Sequence, residues 1–479
     1  MRLSGGFKTM LGMTQHFVAC DRDQELLLPP NLRDWLPEGH LANFLVDAVE
    51  EMDLDEFYAV YRADGRGRPA YEPRMMVALV LYAYCRGVRS SRAIERACFE
   101  DVAFRVIAVN EQPDHATIAR FRVRFEDALA GLFTEVLKLC AEEGMASVGV
   151  VAVDGTKLHA NASRDANLDY EQIAKRILEE AAEIDAAEDE RYGQARGDEL
   201  PPTLARREGR RAWLRERRQR LENQRAANPK PVPRSRPKRL HEAKRRLEQE
   251  HQAECEANAD YEAYRAGGVD KTGRRFGRPP NPVQMPTTPE GKMNTTDPDS
   301  RLLKARRGFV QGYNAQAVVN EHGIVIAAEI RTEGADFGHL EPMLDAARRE
   351  LQAAGIEEQP EVALADAGYW HQIQMESLVS QGIQILIRPD GDQRKGTRPG
   401  WNGGYYAFMR RVLETELGAS LYRKRKTMIE PIFGDTKYNR RADRFQRRGR
   451  SAARSEWRLI TATNNLLKLH RHRTASSTA

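Results

Sequence analysis

Residues 147 to 158, SVGVVAVDGTKL, place apolar and β-branched side chains on both faces of an extended chain, and no other stretch constrains the fold as tightly. Such a strand belongs in the middle of a sheet, covered on both sides. The remaining sequence must therefore supply neighbouring strands and two covering layers. From about Asn31 to Met145 the periodicity is helical. In HLANFLVDAVEEM, residues Leu41, Phe44, Leu45, Ala48, Val49 and Met52 fall on one helix face. YEPRMMVALVLYAYCRG is apolar nearly all round and opens with Pro73, which predicts a buried helix. A further helix runs through Leu129, Leu132, Phe133, Val136, Leu137 and Cys140. Strand character returns in GYNAQAVVNEHGIVIAAEI, where Asn320 to Gly323 separate two apolar runs as in a hairpin. A helix through Leu340, Met343, Leu344 and Ala347 follows, then two short strands in EVALADAGYW and IQILIRP. The expected fold is mixed α+β: an all-α N-terminal domain, then an α/β core with a mixed central sheet.

A charged region interrupts that core. Residues 165–299 hold RRAWLRERRQRLENQR and RPKRLHEAKRRLEQEHQAECEANADYEAYRAG, helix formers with few apolar positions beyond Leu240, Ala243 and Leu247. They predict exposed helices, a coiled-coil-like hairpin at most, with a solvated spacer as the simplest role. The expected division is an extension (1–30), a helical domain (31–145), a core (146–164 with 300–470), the insertion (165–299) and a tail (471–479).

The formal net charge is only +5, yet Leu421 to Arg458 holds 13 Lys plus Arg against 4 Asp plus Glu. A patch of that kind suits a polyanion. Five cysteines without a C-x-x-C pair argue against zinc fingers and a disulfide framework. No apolar run reaches the ~18 residues of a membrane span, and the first residues hold too short a run for a signal peptide, so a cytoplasmic protein is expected. The absence of a G-x-x-x-x-G-K-[ST] loop argues against a nucleotide cofactor.

Two aspartates stand at matching places. Asp154 closes VGVVAVDG and Asp366 closes EVALADAG, and period-2 geometry sets each on the face of its apolar strand neighbours. On adjoining strands the two carboxylates would meet, and like charges in contact call for a proton or a cation. Hard oxygen ligands suit Mg²⁺. Asp-Gly, as at Asp154, is also a turn signal, and either aspartate taken singly reads equally as a turn residue. A third acid, Glu430, lies in the strongly basic stretch, and carboxylates holding two Mg²⁺ about 4 Å apart can cleave phosphodiesters. Asp336 and Asp435 are rivals ranked second, because neither ends an apolar strand. His159 and His371 lie near the aspartates in sequence.

VAVDGTKLHANAS, GYNAQAVV, ALADAGYW and IEPIFGDTK, in that order, resemble the bacterial insertion-sequence transposases of the DDE superfamily, whose core is ribonuclease H-like. RPAYEPRMMVALVLYAYCRGVRSSRAIERACFEDVAFRVI and PDHATIARFR are similar to the helical domain that precedes the core in one large group of them. The resemblance implies that Asp154, Asp366 and Glu430 are the catalytic and metal-binding acids, holding two Mg²⁺ ions for which Mn²⁺ can substitute. It implies double-stranded DNA as partner, both transposon ends and target, a homodimer on that DNA, and a place at the bacterial nucleoid. The implied reaction cleaves strands at terminal inverted repeats and transfers the 3′-hydroxyl to target DNA. A catalytically silent DNA-binding or scaffold protein, and a metal-dependent nuclease without joining, are the alternatives.

Glu430 and Lys437 match the E-x6-K element of related families, while Lys426 stands where an arginine is expected and Arg423 where a tyrosine is. On an uninterrupted helix the pair would share one face about 10 Å apart. Pro431 requires the helix either to start there or to bend. Candidate phosphate contacts are Lys437, Lys426, Arg425, Arg440, Arg441, Arg447 and Arg448. SSRAIERACFE and PDHATIARFRVRF resemble a helix-turn-helix, with Thr117 and Arg120 near the groove. GRGRP (65–69) and FGRPP (276–280) are candidate minor-groove hooks.

Overall fold

The N-terminal stretch winds into α1 (Leu41–Glu51), α2 (Asp55–Tyr58), α3 (Pro73–Cys85), α4 (Ser91–Glu100), α5 (Val102–Ile107), α6 (His115–Arg124) and α7 (Glu126–Glu142). Local capping sets several starts. Glu72 accepts from the Met75 amide ahead of Pro73, Asp101 from those of Ala103 and Phe104, and Asp114 from that of Thr117. α3 is buried from Met76 to Cys85, as its all-round apolar sequence requires. The structure, a computed structural model, describes residues 31–61, 70–177, 208–227, 231–267, 285–286, 288–305, 308–389 and 403–478.

The central strand is β1 (Val150–His159). It pairs antiparallel with the long β5 (Gly308–Asn320) and parallel with β7 (Val362–Ala365), which pairs parallel with β8 (Gln384–Ile387). β5 also pairs with β4 (Arg301–Ala305) along its first half and with β6 (Val325–Arg331) along its second, both antiparallel. A minor pair, β2 (Asn167–Asp169) and β3 (Lys292–Asn294), lies outside this sheet. The β5 to β6 turn contains Gly323 at φ +71°, a left-handed conformation that suits glycine. Three antiparallel strands, β6, β5 and β1, thus continue into the parallel β7 and β8, the ribonuclease H-like arrangement expected.

Helices α10 (Leu340–Ala353), α11 (Gln372–Ser380), α12 (Gly404–Glu414), α13 (Glu416–Gly434) and α14 (Arg450–Thr478) complete the core. α13 packs on β1 and β5, and α14 lies between α3 and α7 on one side and β6 on the other. Trp457 is fully buried and donates from Nε1 to the Gln316 carbonyl at 2.9 Å, while Asn465 hydrogen-bonds both the amide and the carbonyl of Val325. The helical region and the sheet share one continuous apolar core.

The charged insertion forms a hairpin, α8 (Glu208–Ala227) against α9 (Arg236–Ala266). It is docked rather than merely solvated, which corrects the spacer expectation. Leu240, Ala243 and Leu247 bury themselves with Leu168, Ile173 and Met293 in a second small core. Arg246 pairs with Asp299, Glu250 with Arg301, and Glu222 with Arg450. Several hairpin arginines are spent on nearby acids, Arg217 on Glu256, Arg218 on Glu254 and Arg225 on Glu250. No helix among the described residues is long and apolar enough to cross a membrane.

Candidate active site

Strands β1 and β7 adjoin in register, Ala152 opposite Leu364, so Asp154 and Asp366 lie level with each other two residues further on. The turn reading holds for only one of them, and not for the Asp-Gly pair. β1 continues past Asp154 to His159, paired with β5 throughout, so Asp154 sits in mid-strand. A Cβ on Gly155 would collide with the Gln316 side chain, so glycine here makes room for a neighbour and not for a bend. Asp366 does begin a turn. It caps the 3-10 helix Ala367–Tyr369, its Oδ1 accepting from the Gly368 amide at 2.8 Å.

A further acid joins them. Asp336, ranked behind Asp366 on sequence, lies against Gly368 beside the Asp366 carboxylate. Its Oδ1 accepts from Asn314 Nδ2 at 2.9 Å and Gln316 Nε2 at 2.8 Å, with Lys157 Nζ at 3.4 Å. Tyr369 in turn donates its hydroxyl to Gln316 Oε1. The missed signal was in GYNAQAVV: two amides at alternate positions of a buried stretch of strand need a buried acceptor. Lys157, three residues after Asp154, was also missed.

Burial and the nearby Asp366 charge raise Asp154 to about 6, despite the opposing Arg425 guanidinium. Asp366 is also raised, by burial and then by Asp336, against the Gly368 hydrogen bond that lowers it. Arg425, expected to contact DNA, is instead buried, with Nη1 donating to Asp154 Oδ2 at 3.0 Å.

α13 runs on to Gly434 with Pro431 inside it, so the helix does not start at the proline. Proline cannot donate to the Thr427 carbonyl, and Thr427 is on the exposed side, where water can satisfy it. Residues Asp435–Asn439 then widen into a π-helix. Glu430 and Lys437 are therefore not joined by two regular α-turns, which removes the basis for the 10 Å expectation. Glu430 is exposed on α13, and among the described residues no three His, Cys, Asp or Glu side chains converge closely enough to hold an ion. Lys437 is half-buried, and its ammonium is held below the usual lysine range by burial and by Lys157.

The basic stretch is largely neutralised. Lys424, Arg425, Arg440, Arg447, Arg450, Arg454 and Arg458 pair with Glu321, Asp154, Asp435, Glu126, Glu222, Glu329 and Glu350. Arg440 is buried and also donates to the Ile460 carbonyl and to Thr463, which makes it a structural residue. Arg447 braces α7 through Glu126. Lys426, Arg441 and Arg448 remain exposed, the last donating to the Asn161 carbonyl. In the N-terminal region α5 separates the two helices of the expected helix-turn-helix, although α4 and α6 do pack together. Thr117 bonds Asp114, and Arg120 donates to Thr117 at 3.0 Å on an exposed face. His371 caps α11, while His159 lies at the far end of β1 beside Asp443 and Arg444. GRGRP and FGRPP lie outside the described residues.

Residues 30–124 match the family described as Transposase domain (DUF772), and residues 269–466 match the Transposase DDE domain. Asp366 and Glu430 fall within the second match, and Asp154 precedes it. No curated protein and no solved structure gives a match. The DDE family comprises enzymes that act on DNA and generally use divalent metal ions. The two matches together span more than half of the chain, helical domain first and catalytic domain second, and the chain belongs to the DDE transposases of insertion sequences.

Proposed function

We propose that this transposase binds the terminal inverted repeats of its own element, cuts DNA at the element ends and joins the freed 3′-hydroxyl to target DNA. Asp154, Asp366 and Glu430 are the proposed catalytic acids. The observation that carries this reading is the level placing of Asp154 and Asp366 on adjoining strands, with α13, the helix that carries Glu430, packed on β1. Two partly buried carboxylates raised by burial and by neighbouring acids are an excess of negative charge in hard oxygen donors, which fits Mg²⁺ or Mn²⁺. Asp154 and Asp366 would hold such ions, with Glu430 turning in from α13. Two bound ions would supply water activation and charge stabilisation at the scissile phosphate.

The chain's own residues do the positioning. Asn314, Gln316 and Lys157 fix Asp336 and so brace the turn that carries Asp366. Lys157 lies beside Asp336, and Lys437, whose charge interacts with it, is the proposed second cation for a phosphodiester. Because two element ends must be joined, a homodimer on DNA is the proposed assembly. Incubating the protein with labelled duplexes carrying the flanking repeats and Mg²⁺ tests the reading. Joined ends support it, whereas cleavage alone marks a nuclease and binding alone a silent DNA-binding protein.

A cation must displace the proton on Asp154, whose value is about 6. Apparent Mg²⁺ affinity is expected to fall about tenfold per pH unit below that value and to flatten above it. Isothermal titration across that range checks the slope, and a flat profile would count against Asp154 as a ligand.

Neutralisation of the basic stretch gives a second expectation. Lys437→Ala or Arg448→Ala should each reduce the salt slope of DNA binding by about 1, as loss of one phosphate contact does. Arg447→Ala should leave that slope unchanged, because its charge is spent on Glu126. Equal slopes for all three variants would refute this division.

A further inference from the structure

Arg425 is a cation built into an acid site. α13 carries it five residues before Glu430, its guanidinium is buried, and it donates to Asp154 Oδ2 at 3.0 Å. Its Nε is also buried and has no hydrogen-bond partner. The Tyr422 ring lies 5.8 Å from the guanidinium carbon. Its charge interacts with Asp154, Asp366 and Glu430 together, so one guanidinium serves all three proposed acids. A buried guanidinium with an unsatisfied N–H is unfavourable unless nearby carboxylates compensate it. Arg425 is therefore held by the negative charge of the acid cluster, the same charge that attracts a divalent ion.

We infer that Arg425 is an intramolecular competitor for the cation site, its guanidinium occupying Asp154 and repelling a divalent ion until that ion displaces it. The inference rests on the proposed metal-binding role of Asp154 and Asp366. It makes Arg425 a positioning residue that sets how much free Mg²⁺ is needed to load the site. The cost of bringing a divalent ion beside a fixed positive charge is large in a partly buried site, so its removal should be felt directly in affinity.

The test measures Mn²⁺ binding to the full chain without DNA, by electron paramagnetic resonance with Mg²⁺ competition, at alkaline pH where the carboxylates are ionised. Arg425→Gln is expected to bind Mn²⁺ about tenfold more tightly or better, and Arg425→Lys to stay near wild type because it keeps the charge. Arg425→Met provides a second neutral variant should the glutamine fail to fold, and circular dichroism melts confirm that each variant is folded. Asp154→Asn should abolish the tight binding in both the wild-type and Arg425→Gln backgrounds. Unchanged or weaker binding in the folded neutral variants overturns the competitor role while leaving the metal site intact. If no variant shows Mn²⁺ binding sensitive to Asp154→Asn, the metal-site reading itself is overturned.

Discussion

Asp366→Asn is expected to lower DNA cleavage by about 10³-fold or more while repeat binding stays near wild type. The substitution is nearly isosteric, and an asparagine Oδ1 can still accept from the Gly368 amide, so the turn after β7 should persist. What disappears is one negative charge between Asp154 and Asp336. The variant should consequently melt no lower than wild type without added metal, because a repulsion has been removed. Loss of activity together with unimpaired folding separates a functional carboxylate from a structural one. Retained cleavage would exclude Asp366 from the acid set and turn attention to Asp336. Asp336→Asn is the informative contrast. Its Oδ1 receives Asn314 and Gln316 with Lys157 nearby, and a neutral amide would receive Lys157 poorly. That change should therefore lower stability as well as activity.

The fold was legible wherever local periodicity decided it. Apolar residues on both faces of residues 147 to 158 required a central strand, and β1 has β5 on one side and β7 on the other. The Asn320 to Gly323 hairpin was readable from turn chemistry. Legibility failed where charges found distant partners. Thirteen cations between Leu421 and Arg458 look like a DNA-binding surface in sequence, yet Arg447, Arg450, Arg454 and Arg458 meet acids from α7, α8, β6 and α10. No periodicity reports such pairings, because they depend on the packing of α14 between the helical region and the sheet. Asp336 was underrated for a related reason: its importance comes from two amides on β5, and that partnership exists only once the strands are assembled. The same limit applies to Asp154. Its Asp-Gly pair resembles a turn until Gln316 is seen to need the space above Gly155.

Arg246→Ala should cost about 3–5 kcal/mol and release the α8 to α9 hairpin, because it breaks a buried ion pair from one side. Arg246 is 5% exposed, donates from Nε to Glu242 at 2.7 Å and pairs through Nη1 with Asp299. Asp299 is in turn tied to the core, since its Oδ2 accepts from the Arg450 amide at the start of α14 at 2.9 Å. Neighbouring Asp297 is buried, receives the Tyr313 hydroxyl at 2.9 Å, and is pushed up to about 6 by burial and by the Asp299 charge. Without the guanidinium, two interacting carboxylates at this junction keep only the charge of Arg301, which is already paired with Glu250, as compensation. The destabilisation should be greater well above the Asp297 value of about 6 than below it, because below it Asp297 carries a proton and the repulsion is lost. Arg217→Ala is the matched control. Its pair with Glu256 is much more exposed, with side chains 31% and 46% accessible, and should contribute no more than about 1 kcal/mol. Limited proteolysis reads the hairpin and thermal melts read the core. If the two variants behave alike, the Arg246 to Asp299 pair does not hold the hairpin in place. If Arg246→Ala alone exposes it, the insertion is a structural layer seated on the start of α14, the helix whose Trp457 braces β5 beneath Gln316.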